Sequence, residues 1–135
     1  MLQFYFLSIV LNALAAIVLL SDDEGSVLEF RGNFSLKDET SKLVIGILLL
    51  ITGLLKILSP LEGDIPVVGD LFPALSSFLS GAVLIFEFYR NRTSLDLSEN
   101  SDKINRILIS NKKIIGVVAI IAALLHFLFP KVLLL

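Results

Sequence analysis

The chain has no cysteine and a single histidine. Without cysteine there can be no disulfide, thiolate metal site or thiol nucleophile, and nothing reports on the redox compartment. One imidazole cannot form a His-rich metal site, so no metal and no other cofactor is expected. Charge is also scarce, at 18% of residues against about 25% in an ordinary soluble domain. Eleven Lys and Arg oppose thirteen Asp and Glu, for a net charge of −2. No general basic surface exists to hold nucleic acid, and no nucleic-acid partner is expected. Also missing are a Gly-rich phosphate loop ending in Lys-Ser/Thr, an HExxH pair and a GxSxG elbow. No catalytic residue is assigned, and the expectation is a protein that is not an enzyme.

Apolar length is what the chain has in abundance. Its 135 residues leave room for one domain. Hydrophobic residues make up 56% and the mean hydropathy is +0.89, which excludes intrinsic disorder and points to an integral membrane protein. Four apolar runs stand out: 1–20, 43–59, 71–89 and 114–129. Each approaches the about 20 residues that cross a hydrocarbon core, and flanking Lys or Tyr can snorkel where a run is short. In lipid each backbone polar group must be bonded internally, and none of the runs alternates in period two as a barrel strand would. The predicted fold is an all-α, four-helix transmembrane bundle with long polar loops at 21–42 and 90–113. A cleaved signal peptide is the alternative for the first run, which has Ala13-Leu14-Ala15 but lacks a basic start.

Orientation follows from the basic residues. With four crossings, nine Lys and Arg fall in or beside the two long loops, while Lys56 and Lys131 fall on the other side. The positive-inside rule then puts the long loops in the cytoplasm and both termini outside, in a bacterial or archaeal cytoplasmic membrane. Within 90–113, Ile104, Ile107 and Leu108 fall at i, i+3 and i+4. They mark a short amphipathic turn or two of helix leading into the fourth run.

The second and fourth runs align without gaps at an offset of 70. Over Lys42–Pro60 eight of nineteen positions are identical, including Lys42/Lys112, Gly46/Gly116 and Pro60/Pro130, with basic-type side chains at Lys56/His126. Ser8, Asn12 and Ala13 fall more weakly against Ser77, Gly81 and Ala82. The pattern predicts two helical hairpins repeated in parallel about an axis along the membrane normal.

Ionisable residues are costly in lipid and are functional candidates for that reason. Lys56, His126, Asp70, Asp64 and Glu62 are the candidate polar vestibule, a cluster at the outer mouth for an ion, a proton or an anionic head group. A solvated or snorkelling set of side chains is the plainer account. Glu87 lies near the cytoplasmic end of its run, with Arg90 at i+3 as the expected partner. Ser8, Asn12, Gly46, Gly53, Ser77 and Gly81 are predicted helix-packing positions, since small and hydroxyl side chains let helices approach closely. They serve packing within the bundle or against a partner. The centres of the second and fourth runs read as apolar, so the expected function is a non-catalytic accessory or scaffold subunit of a larger membrane complex. The alternative is a small homo-oligomeric carrier or channel using the outer polar cluster. Expected partners are the lipid bilayer and either other membrane subunits or a second copy.

Overall fold

The computed structural model describes residues 2–21, 29–30, 34–35, 38–58, 71–93 and 99–129. Five helices lie among them: α1 (Leu2–Leu20), α2 (Glu39–Leu58), α3 (Leu71–Arg92), α4 (Glu99–Ser110) and α5 (Lys112–Leu128). A two-residue antiparallel ladder, β1 (Glu29–Phe30) with β2 (Phe34–Ser35), interrupts the first long connection. The all-α fold is as expected. The helix count differs, because the second long loop carries a helix of its own. The expected amphipathic turn extends to the twelve residues of α4 and is bent by 51° from α5. At that bend Asn111 turns its side-chain amide back to the Ile107 carbonyl, 2.8 Å away, and so satisfies a group that the end of α4 leaves open.

The helix bounds also move. α2 begins at Glu39, with Lys42 held inside the bundle rather than in a solvent-facing loop, and α3 runs on to Arg92, with Arg90 and Asn91 donating to Asn105 of α4 and Glu39 of α2. Three helices, α1, α2 and α3, are long and apolar enough to cross a membrane, and the bent α4–α5 pair makes a fourth if it counts as one span.

The most extensive packing is of α2 on α3 and of α1 on α5, rather than within the sequential hairpin of α1 and α2. Glycine and alanine explain this. A Cβ on Gly81 would meet the Gly46 carbonyl oxygen at 2.8 Å, and one on Gly46 would meet the Gly81 oxygen at 3.1 Å. The backbones of α2 and α3 therefore cross as closely as small residues allow. Between α1 and α5, a Cβ on Gly116 would meet Leu19 at 3.0 Å, and Ala15, Ala16, Ala119, Ala122 and Ala123 are buried. At the centre, Leu11, Ala15, Leu19, Leu49, Val83 and Leu84 form part of one apolar cluster.

Candidate functional site

Part of the side-chain distribution is inverted relative to a water-soluble bundle: polar groups share the interior with the apolar cluster, and many large apolar side chains face outward. Ser8, Asn12, Thr52, Lys56, Ser76, Ser77, Ser80, Glu87 and His126 are buried. The outward positions include Phe6, Val10, Val44, Ile51, Leu54, Leu75, Leu79, Ile114, Leu124 and Phe127. Helix geometry produces this arrangement. Tyr5, Ser8 and Asn12 lie at i, i+3 and i+7 on one face of α1, and Ser76, Ser80, Val83 and Glu87 lie at i, i+4, i+7 and i+11 on one face of α3. The expected apolar centre of the second run is also broken, by the fully enclosed Thr52.

One end of this interior is built by Tyr5, Lys56 and His126. Lys56 Nζ and His126 Nε2 lie 2.5 Å apart, and neither residue is more than 4% exposed. The contact is a hydrogen bond when one nitrogen is protonated and the other presents its lone pair. Tyr5 donates its hydroxyl to the His126 carbonyl oxygen at 2.5 Å, and its ring packs 4.5 Å from the imidazole. The Lys56 ammonium lies 5.8 Å from the centre of the same phenol ring. The structure thus brings together Lys56 and His126 of the expected vestibule. Glu62, Asp64 and Asp70 lie outside the described residues.

Below this end is a hydrogen-bonded layer centred on Asn12. Its amide donates to Ser77 Oγ at 2.9 Å and to the Ser8 carbonyl at 2.9 Å, while Ser76 Oγ donates to Asn12 Oδ1 at 3.0 Å. Ser77 Oγ in turn donates to the Pro73 carbonyl at 2.8 Å. The next hydroxyl along α3, Ser80, is enclosed and has no hydrogen-bond partner among the described residues. Beyond it the apolar cluster closes the interior, over the about 10 Å that seven helical residues span between Ser80 and Glu87.

The other end is ionic. Glu87 Oε1 lies 3.4 Å from Lys42 Nζ and 3.7 Å from Lys112 Nζ, and Lys42 lies 3.8 Å from Glu39 Oε1. Arg90, the expected partner of Glu87, instead donates to Asn105 Oδ1 at 3.3 Å and ties α3 to α4. Local i, i+3 spacing did not anticipate these partners, which come from α2 and α5. The signal that would have found them is the Lys42/Lys112 match at offset 70. These side chains surround a cavity of about 370 Å³ that also includes Ser21, Arg90 and Asn91. No group of three or more His, Cys, Asp or Glu able to hold a metal occurs among the described residues.

The predicted packing positions are all engaged inside the bundle. Gly46 faces Gly81, Gly53 faces Ala74 and Ser77, and Ser8, Asn12 and Ser77 share the central layer.

A protein-family model of unknown function matches residues 1–126, and the chain belongs to that family. The chain is also similar to an uncharacterized protein of Treponema pallidum (strain Nichols). The two are 33% identical over 133 residues, which cover 98% of each chain. No solved structure matches.

Proposed function

We propose that this is an integral membrane protein acting as a small carrier or channel for an ion or small polar solute. On this reading α1, α2, α3 and the bent α4–α5 pair each cross the bilayer. The observation that carries the proposal is the inverted distribution just described, with apolar side chains outward and polar ones enclosed. A protein that only needs to sit in lipid gains nothing from burying Lys56, His126, Asn12 and four serines, since intramembrane polar groups are costly. The path runs from the Lys56–His126 end through Asn12 to Ser80. The apolar cluster around Leu49 and Leu84 then acts as the barrier before the ionic end. A small homo-oligomer is the form expected of so short a carrier.

The proposed orientation places the ionic end and both long connections in the cytoplasm, and the Lys56–His126 end outside. The internal repeat belongs to the same proposal. What supports it is that both basic pairs at offset 70 converge, Lys56 on His126 and Lys42 with Lys112 on Glu87. An accessory or scaffold role without catalysis is the second reading. It is favoured by an apolar surface groove lined by Leu50, Ala82, Ile85, Phe86, Tyr89 and Leu108, on which a partner helix could rest.

The test is reconstitution of the purified protein into liposomes, with flux of protons, chloride and small osmolytes followed by dye and swelling assays. Flux that is lost in Lys56→Met and His126→Leu supports the carrier. No flux for any solute, together with a stoichiometric second polypeptide in the gently solubilised particle, would leave the subunit reading in its place.

A further inference from the structure

From the ionic end we infer that the cavity beside Glu87 is a binding site for a phosphate that carries a primary amine, the chemistry of phosphoethanolamine. This goes beyond the transport reading, because the cavity lies on the far side of the apolar barrier from the Lys56–His126 end. Its volume of about 370 Å³ is within the about 300–1,000 Å³ of small-molecule sites. Lys42, Lys112 and Arg90 come to it from three helices and face Glu39 and Glu87, so the lining carries one excess positive charge.

The ion pairs in this cavity are loose. Lys42 and Lys112 stand 3.4 to 3.8 Å from their carboxylates, longer than the about 2.7–2.9 Å of a tight charge-assisted bond. Each ammonium has three N–H groups and keeps at least one for an anion. One acceptor is also unspent. Glu39 Oε1 takes the Asn91 amide at 2.9 Å and faces Lys42, but Glu39 Oε2 is enclosed with no hydrogen-bond partner among the described residues. Leaving a buried carboxylate oxygen unmade is costly. A bare phosphate would satisfy the lysines and repel that oxygen. A phosphate bearing –NH₃⁺ satisfies both, with the phosphate between Lys42, Lys112 and Arg90 and the amine on Glu39. A choline head group has no N–H to give Glu39, and a glycerol head group has no cation to place there.

The same chemistry can come from a bilayer lipid head group or from a free solute. The lipid source rests on the membrane reading above; the soluble source does not. The experiment uses the full chain, with native mass spectrometry of protein carrying phosphatidylethanolamine, phosphatidylcholine or phosphatidylglycerol of identical acyl chains. Calorimetry with soluble phosphoethanolamine and with glycerol phosphate runs in parallel. The expected result is retention of phosphatidylethanolamine about tenfold above the other two, the scale of one charge-assisted hydrogen bond. Lys112→Gln should lower retention of the phosphatidylethanolamine and phosphatidylglycerol head groups alike. Glu39→Gln, at a partly exposed residue, should remove the preference for the amine while unfolding temperature stays unchanged. Heat from soluble phosphoethanolamine that competes with the lipid assigns the head group alone as sufficient, whereas lipid retention without that heat assigns the bilayer as the source. Equal retention of all three lipids with no heat from phosphoethanolamine overturns the site, and so does glycerol phosphate binding as tightly as phosphoethanolamine.

Discussion

The two ends of the bundle solve the same problem differently. At each, basic residues 70 positions apart are carried inward by α2 and α5. At the ionic end Lys42 and Lys112 share the carboxylate of Glu87, and a cavity keeps them near water. At the other end Lys56 and His126 meet each other, enclosed, with the Tyr5 ring beside them. The first arrangement sets opposite charges against each other. The second joins two nitrogen bases by a direct hydrogen bond inside the bundle. The difference teaches that matched sequence positions need not make matched contacts: one pair meets a shared carboxylate at a cavity and the other meets within the enclosed interior.

That contrast can be broken most directly at Glu87. Glu87→Ala leaves two inward lysines without their shared partner, and loss of about 3 kcal/mol is expected, as for other broken buried pairs. Denaturation in detergent should show a clear fall in midpoint. A stability within a few tenths of wild type would mean that the ionic end does not fasten the helices. The double variant Lys56→Met with His126→Leu should behave in the opposite way, keeping or raising stability while abolishing flux. A strong loss of stability there would make both ends structural.

Smaller effects sharpen the packing side of the comparison. Gly81→Ala drives a methyl against the Gly46 carbonyl and should cost about 1–3 kcal/mol. Gly116→Ala meets leucine side chains rather than backbone, at 3.0 Å, and should cost less in the same melting assay. A larger loss at Gly116 would reverse the order of the two helix pairs. Asn12→Ala should have the smallest effect on stability, about 0.6 kcal/mol for an average interhelical hydrogen bond in a membrane protein. Its flux should nevertheless fall if Asn12 lies on the path.

Much of the fold was legible in the chain. Long apolar runs without period-two alternation located α1, α2, α3 and α5, because runs of that length read as helices rather than strands. Small residues such as Gly46 and Gly81 were legible as contact points because a missing side chain lets helix backbones approach. The length of α4 was less so, since a short amphipathic pattern in a polar stretch gives a weak local signal. The site was half legible. Lys56 and His126 stood out as rare charges in apolar surroundings. Glu87 was misassigned to Arg90 because helical spacing reports only neighbours on one helix, whereas its partners come from two others. The continuity of the polar interior was hidden for a related reason. Ser8, Asn12 and Ser77 were legible as packing positions, but only the rotation of α1 against α3 joins them with Ser76 into one hydrogen-bonded layer.

The Tyr5 hydroxyl reaches a carbonyl 121 residues away, and its helix packs chiefly on α5. During synthesis α1 emerges well before its principal neighbour, α5. On the membrane reading proposed above, each spanning helix enters the bilayer singly before any two associate. The first helix must therefore wait, with Asn12 unsheltered, until α3 supplies Ser76 and Ser77 and α5 closes over it. The enclosed Lys56–His126 contact is accordingly made at the end of assembly, and a chain truncated before α5 should lack it entirely.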